Sequence, residues 1–502
     1  MKKHLFQLSL LFSLCTAALC SCAEHDEPIT TAHGIPLTIR ATAAGFTSAD
    51  GADTRASENG YITTFTAGDE IGVFAVKDGA VIADCKNVKC IRNADGSWSA
   101  DALAPVYYYI DAQYFAYYPY KSELPAENIT DVSGIVDYFN KNIVTDQGTY
   151  DNYTAWDLMT AALVSPDGNK TLSFSFTHQM SLIEISLPVQ KYKTSDAADA
   201  YEYAEPAIGA TFSITKEDAP MSIIPYNTGK GVYRYIVPAE TSCTVAGEFQ
   251  NVAGTAIKYE SSTLSLSTGK YKRLNVTYDG APTTIKERAL AAGDFYYSDG
   301  SIVPGEAQSP PSTGCIGIIF WVGDATEYDR TLKTDHKGCT HGLVIALTEY
   351  LQVWQTKDTS VQNWLDNNKR DVYLSITNTK DNIQGYNNTK AAEEFNKGIN
   401  SNYIVYAVNQ VIDYRKTVSA PSTSSDWYLP SAKELTLWDK DAINSKLSKI
   451  SGATGISASD YWALTEDGYN NSAWVMTYQR GLNKLATSSK ESRWYWRPIL
   501  AF

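Results

Sequence analysis

The sequence predicts a mainly β protein: two tandem β-sandwich subdomains followed by an α+β domain. Three observations carry that expectation. At 502 residues the chain exceeds what a single core organises. Residues 31–280 read as short alternating strands separated by Gly, Asp and Asn turns, with no sustained helical period. The composition then shifts: nine of the eleven Trp fall between Trp321 and Trp496, where the clearest helix signals also lie.

The N-terminus points to export. Lys2 and Lys3 precede an apolar stretch over residues 5–19, too short to span a bilayer, so residues 1–21 read as a signal peptide. Leu19-Cys20-Ser21-Cys22 resembles a bacterial lipobox with Cys22 as the acylated residue. More than one acyl chain, palmitate among them, would hold the chain stably in the outer membrane. The plainer alternative is an ordinary signal peptide with incidental cysteines.

Residues 22–55 form a tether and a first strand. Ile35, Leu37, Ile39, Ala41 and Ala43 alternate with Pro36, Thr38, Arg40 and Thr42, the period of a half-buried strand. A polar loop over 47–60 carries Arg55-Ala56. Residues 56–187 are assigned to the first sandwich, with strands around Ile71–Val76, Tyr114–Tyr120 and Leu172–Phe176, and residues 188–280 to the second. Residues 281–292 read as a linker. In the α+β domain, 293–502, Ser431-x-x-Glu434 after Pro430 is a capping box that opens a helix running from Ala432 to about Asp439. A second helix is expected over 358–365, and the Ser-Pro patch at 308–312 is a loop.

Forty-two basic residues against fifty-six acidic give a formal charge of −14, and no basic run follows Lys2-Lys3. Counterion release needs clustered Lys and Arg, so nucleic-acid binding is excluded. Five cysteines lie beyond Cys22. Cys85 with Cys90, and Cys315 with Cys339, could form bridges, leaving Cys243; equally, all five could be small buried hydrophobes. The strongest chemical cluster is Asp335-His336-Lys337-Gly338-Cys339-Thr340-His341, whose ligands suit Zn²⁺ in type but lack a second pair. A turn leading into a strand from Gly342 fits better. With no phosphate-binding Gly-rich loop, no His-Glu-x-x-His and no Gly-x-Ser-x-Gly, the chain reads as a non-enzyme without metal or cofactor.

Two resemblances surface at these residues. Phe65-x-x-Gly68-Asp69-x-Ile71-Gly72-Val73-Phe74, Tyr117-Tyr118-Pro119-Tyr120, Asp146-Gln147-x-x-Tyr150, Asp157-Leu158-Met159 and Phe176-x-His178-x-Met180-Ser181-x-Ile183 resemble the fimbrillin family, lipoprotein subunits of type V pili in Bacteroidales. Trp427-Tyr428-Leu429-Pro430-Ser431-x-x-Glu434-Leu435, Tyr461-Trp462-x-x-Thr465-Glu466, Ala473-Trp474 and Arg497-Pro498-x-Leu500-Ala501-Phe502 resemble a C-type-lectin-like domain. Neither Glu-Pro-Asn, Gln-Pro-Asp nor Trp-Asn-Asp occurs, so a Ca²⁺-bridged glycan site is not expected.

The first resemblance implies a fimbrial subunit, at the tip or accessory, with Arg-specific cleavage at Arg55-Ala56 and assembly with other subunits by donor-strand insertion. Arg40, inside the strand, would be protected. The second implies an outward-facing head that binds a host or bacterial surface glycan or protein. The side chains named for contact are Tyr469, Asn470, Asn471, Arg493, Trp494 and Tyr495, flat rings, amides and a guanidinium suited to adaptable recognition. Trp427, Ser431, Glu434, Glu466 and Arg497 read as structural, with Glu434 or Glu466 as the ion-pair partner of Arg497. The alternative function is a surface receptor that stays lipid-anchored through Cys22 and never polymerises.

Overall fold

The computed structural model describes residues 34–49, 61–100, 104–195, 200–277, 284–369, 371–377, 379–399 and 401–502. The signal peptide, Cys22 and the Arg55-Ala56 bond lie outside the described residues.

The first region is an eight-stranded sheet. Its strands Glu70–Lys77 and Gln113–Tyr118 pair with each other as well as with their sheet neighbours, so the sheet closes on itself. The core is that of a barrel: alternate residues such as Leu172, Phe174 and Phe176 on the strand Thr171–His178 point inward. The expected open sandwich is thus replaced by closure, which removes most edges. Against this barrel lies a helix, Val132–Asn142, started by Asp131, whose carboxylate accepts from the Ser133 amide. No helix was expected here, because it buries only Ile135 and Phe139.

Pairing changes over at Gln179. Although the sequence places Met180–Ser186 in the first subdomain, this strand hydrogen-bonds between Val232–Pro238 and Lys270–Asn275 in a second sheet. A facing sheet, Ala219–Ile223, Ile208–Lys216, Ser242–Gln250 and Ala256–Glu260, covers its apolar side around Ile183, Ile185, Phe212 and Val245. Within the span read as a linker, Ile285–Glu287 pairs in parallel with Lys191–Lys193. Tyr192 and Tyr203 of that small sheet pack into the core of the third region. Arg288 adds a bidentate pair with Asp294 at 2.7 and 2.8 Å.

The third region combines two five-stranded sheets with helices. One sheet carries Cys315–Val322, Gly342–Ala346 and Ile499–Ala501; the other carries Asp460–Glu466, Ser472–Thr477 and Arg493–Trp496. The capping box forms as expected, with Ser431 and Glu434 bonding reciprocally, but its helix spans only Ala432–Thr436 and a second, Lys440–Leu447, follows. The helix expected over 358–365 is Val361–Asn368, with Ser360 at its N-cap. Helices Gly385–Gly398 and Tyr406–Thr417 were not anticipated. All five cysteines are free and buried, so the two proposed bridges are not made. Burial pushes the thiols of Cys85, Cys90, Cys315 and Cys339 up to about 12. Among the described residues, no helix is long and apolar enough to cross a membrane.

Candidate functional site

The strand Thr38–Ala43 is an inner stave of the barrel. It pairs in parallel with Thr171–Phe176 over its whole length, and through Ile39 with Trp98 on the other side. Flanking amides extend the bonding, Leu37 to Val106 (2.8 Å), Thr38 to Lys170 (3.0 Å) and Ala44 to Phe176 (2.9 Å). Only one of its inward side chains is large. Ile39 is 5% exposed, while Ala41 and Ala43 reach the core only as methyl groups. Thr38, Arg40 and Thr42 face solvent, so the Arg40 side chain is exposed while its backbone is locked in the ladder.

Beyond the strand the chain crosses to the second sheet. Gly45 is required there, because a Cβ would collide with the Tyr61 carbonyl oxygen. Phe46 then stacks on His178 with ring centroids 3.7 Å apart. His178 is itself fixed by Asp157 (Nδ1 to Oδ1, 2.7 Å) and by Thr63 (3.1 Å). Thr47–Ser48 adds a short parallel strand to Lys270–Tyr271. The N-terminal segment therefore completes one sheet and edges another.

Tyr61, the first described residue past the Arg55-Ala56 loop, accepts from the Phe46 amide through its carbonyl at 3.1 Å, and its ring is held by the second sheet. It stacks on Tyr271 at 3.9 Å and accepts from Arg273 Nη2 at 3.0 Å. Beside it Glu184, 2% exposed, accepts from Arg234 (2.9 Å) and Arg273 (2.7 Å). Burial works against ionisation of Glu184, but the Tyr61 hydroxyl and the two guanidinium groups outweigh it and hold the carboxyl below its usual range.

In the third region, Tyr469 is 72% exposed and Asn470 and Asn471 are exposed beside it. Asp467 orders this turn by accepting from the Tyr469 amide (3.0 Å) and Ser472 (2.7 Å). The Lys490 amide donates to the Asn471 carbonyl at 2.9 Å, drawing the next turn alongside. Arg493 is exposed, but the two rings after it are committed elsewhere. Trp494 is half-buried and donates to Ser488 at 2.8 Å, and Tyr495 stacks on Tyr461 at 5.6 Å. Trp427 is buried and donates to the Val418 carbonyl at 2.9 Å.

The ion-pair expectation for Arg497 is corrected. Its partner is Glu349, at 2.8 Å from Nη2, which also reaches the carbonyls of Thr454 and Gly455, while Nη1 donates to that of Ala346. Glu466 instead accepts from Lys490 (2.6 Å), Ser360 and the Val361 and Gln362 amides, at the N-terminus of helix Val361–Asn368. Glu434 accepts from the Ser431 and Gly385 amides and from Tyr428, and burial raises its carboxyl to about 7. In the His-Cys cluster, His336 caps helix Arg330–Asp335 and meets Tyr386 at 3.1 Å, while His341 stacks on Tyr201 at 4.0 Å. Gly342–Ala346 follows as the expected strand.

A mainly β chain with an inserted N-terminal stave defines a class, and the comparisons place it. Residues 54–294 match the fimbrillin-like family. The chain is also 30% identical, over all of both sequences, to Fim1C of Bacteroides ovatus, a protein named there as a candidate fimbrium tip subunit. It belongs to the fimbrillin-like family. Among solved structures it is similar to a fimbrial protein from Bacteroides ovatus, 27% identical, with a TM-score of 0.54 over 93% of this chain and 99% of that one. A weaker likeness links 49% of this chain to 94% of a candidate cell adhesion protein from Bacteroides uniformis (18% identical, TM-score 0.31).

Proposed function

We propose that this chain is a cell-surface fimbrial subunit, at the tip or in an accessory position, assembled by exchange of its N-terminal strand. Acylated Cys22 would first hold the precursor at the outer membrane. Cleavage at Arg55-Ala56 would then release residues 22–55. The observation that carries this reading is the placement of Thr38–Ala43, bonded on both sides yet filling its slot with one large side chain. Its loss would leave the Thr171–Phe176 row of backbone groups unpaired, and Trp98 on the other side, flanking alternating pockets that a strand from a neighbouring subunit can occupy.

In this reading residues 293–502 form a C-type-lectin-like head facing outward. The strand Ile499–Ala501 is bonded to Gly342–Ala346 within that region's core and so is not free to be donated, which favours the tip. Tyr469, Asn470, Asn471 and Arg493 supply its exposed contact surface toward a glycan or protein, with Trp494 and Tyr495 supporting it from beneath. The test is incubation of the folded precursor with an Arg-specific protease. A single cut at Arg55, abolished in Arg55→Ala together with uptake of a strand from another fimbrial subunit, is expected, whereas polymer formed by the purified chain with itself would overturn the tip position. Cutting at Arg40, or assembly by Arg55→Ala, would overturn the reading.

A further inference from the structure

The hairpin strand Tyr226–Gly229 shifts register against Val232–Pro238 at Gly229, which takes a positive φ of 88°. Asn227 stabilises the turn by accepting from the Gly229 amide at 2.8 Å. Its amide is thereby aimed across the domain boundary, where it donates to Asp299 of the third region at 3.1 Å. The other Asp299 oxygen accepts from the Ser301 amide at 2.9 Å, so the carboxylate is held in one orientation. Gly300 takes a positive φ of 80°, the left-handed conformation this turn needs, opposite Pro421 and Thr423 of the facing segment.

Around this bridge lies a cavity of about 430 Å³. Its size falls within the roughly 300–1,000 Å³ of small-molecule sites, and it opens at a domain junction, where such sites concentrate. Tyr226 and Tyr150 stand edge to face on one side at 5.6 Å, and Tyr150 is 58% exposed. Tyr201 borders the other side, its ring already stacked on buried Tyr203 at 6.0 Å and on His341 at 4.0 Å.

We propose that this cleft binds a short neutral oligosaccharide. Its lining pairs the exposed Tyr150 ring, braced by Tyr226, with an oriented carboxylate, an amide and the hydroxyls of Thr228, Ser422 and Thr423. Sugars present that combination in reverse, with apolar C–H faces for the rings and hydroxyls for the polar groups. Charge argues in the same direction. Among the described residues of the lining, the charges are Asp299, Glu202 and Lys230, with no guanidinium, and the chain carries −14 overall, so an anionic ligand meets net negative charge. A purely apolar ligand would bury the polar groups unpaired. The site is separate from the exposed Tyr469 surface and does not depend on strand exchange.

The test is titration calorimetry of the purified chain with maltotriose, mannotriose and chitotriose, with 3′-sialyllactose, inorganic phosphate and triglycine as comparators. At least one neutral trisaccharide is expected to bind. Affinity should fall about tenfold or more in Tyr150→Ala and Tyr226→Ala. It should vanish in Thr423→Trp, which fills the cleft from an exposed position, and persist in Tyr469→Ala, with melting unchanged in both and in Tyr150→Ala. Absence of neutral-sugar binding at millimolar concentration would overturn the proposal. So would binding that survives Thr423→Trp, or binding of the anionic or peptide probes alone. Because assembly is measured separately, failure here leaves the fimbrial reading standing, and failure of assembly leaves this site standing.

Discussion

Replacing Ile39 by Ala should loosen the N-terminal stave without altering the rest of the barrel. Ile39 is 5% exposed and packs in the core cluster with Phe65, Ile71, Trp98 and Leu172. It is the one large inward side chain of Thr38–Ala43, since Ala41 and Ala43 contribute a methyl group each. Truncation of a buried Ile costs about 2–5 kcal/mol, and a slot lined by closed-sheet neighbours cannot collapse far to recover it. About 3 kcal/mol is therefore expected. Because strand bonding on both sides is kept, the effect should fall on opening of this strand. Each 1.4 kcal/mol is tenfold, so the opening equilibrium should rise by about 150-fold. Native-state hydrogen exchange at the Thr38–Ala43 amides reads that equilibrium directly. Thr42→Ala, on the solvent face, is the control and should change exchange less than about threefold. If Ile39→Ala leaves exchange within that same margin, the idea that one side chain secures the strand is wrong.

Other expectations concern the third region. Burial raises the Glu434 carboxyl to about 7 and that of Asp329 to about 6. Both lie above their unfolded values, so the folded state holds more protons between roughly pH 4 and 7 and stability should decline as pH rises through that window. Thermal melting from pH 4.5 to 8 measures the decline, and Glu434→Gln should flatten it. Arg497→Met would strand the buried Glu349 carboxylate and should cost about 3–5 kcal/mol by denaturant unfolding, with Arg497→Met/Glu349→Gln costing less than the two single changes added together. Tyr469→Ala and Asn470→Ala should leave melting within about 1 °C, since both side chains are exposed, while weakening adhesion to cells or glycan-coated surfaces.

What could be read in the sequence was mostly local. The Ser431–Glu434 capping box is contained in four residues, and the alternation from Leu37 to Ala43 names the inward face of the stave before any partner is known, although Ile35, expected on the same face, is exposed. The helices that escaped notice hide their period. Gly385–Gly398 buries Asn387, Asn388 and Thr389 as well as Ala391, Ala392 and Phe395, so its inner face does not register as apolar. Those amides are satisfied by distant partners, Asn388 by the Leu464 carbonyl at 2.6 Å and Asn387 by that of Leu374 at 3.1 Å. Long-range choices were equally invisible. The Arg497 partner lies 148 residues upstream, and nothing near Glu349 distinguishes it from other acids. Closure of the first sheet depends on Glu70–Lys77 meeting Gln113–Tyr118, a register that strand spacing alone does not specify. At the contact surface, composition singled out Trp494 and Tyr495, but only packing reveals that both rings are half-buried.

The central claim is that the strand Thr38–Ala43 occupies its slot only until processing. N-terminal sequencing of the mature chain recovered from the cell surface tests it most directly. Strand exchange after cleavage predicts Ala56 as the first residue. An N-terminus at acylated Cys22 on the mature, assembled protein would contradict it.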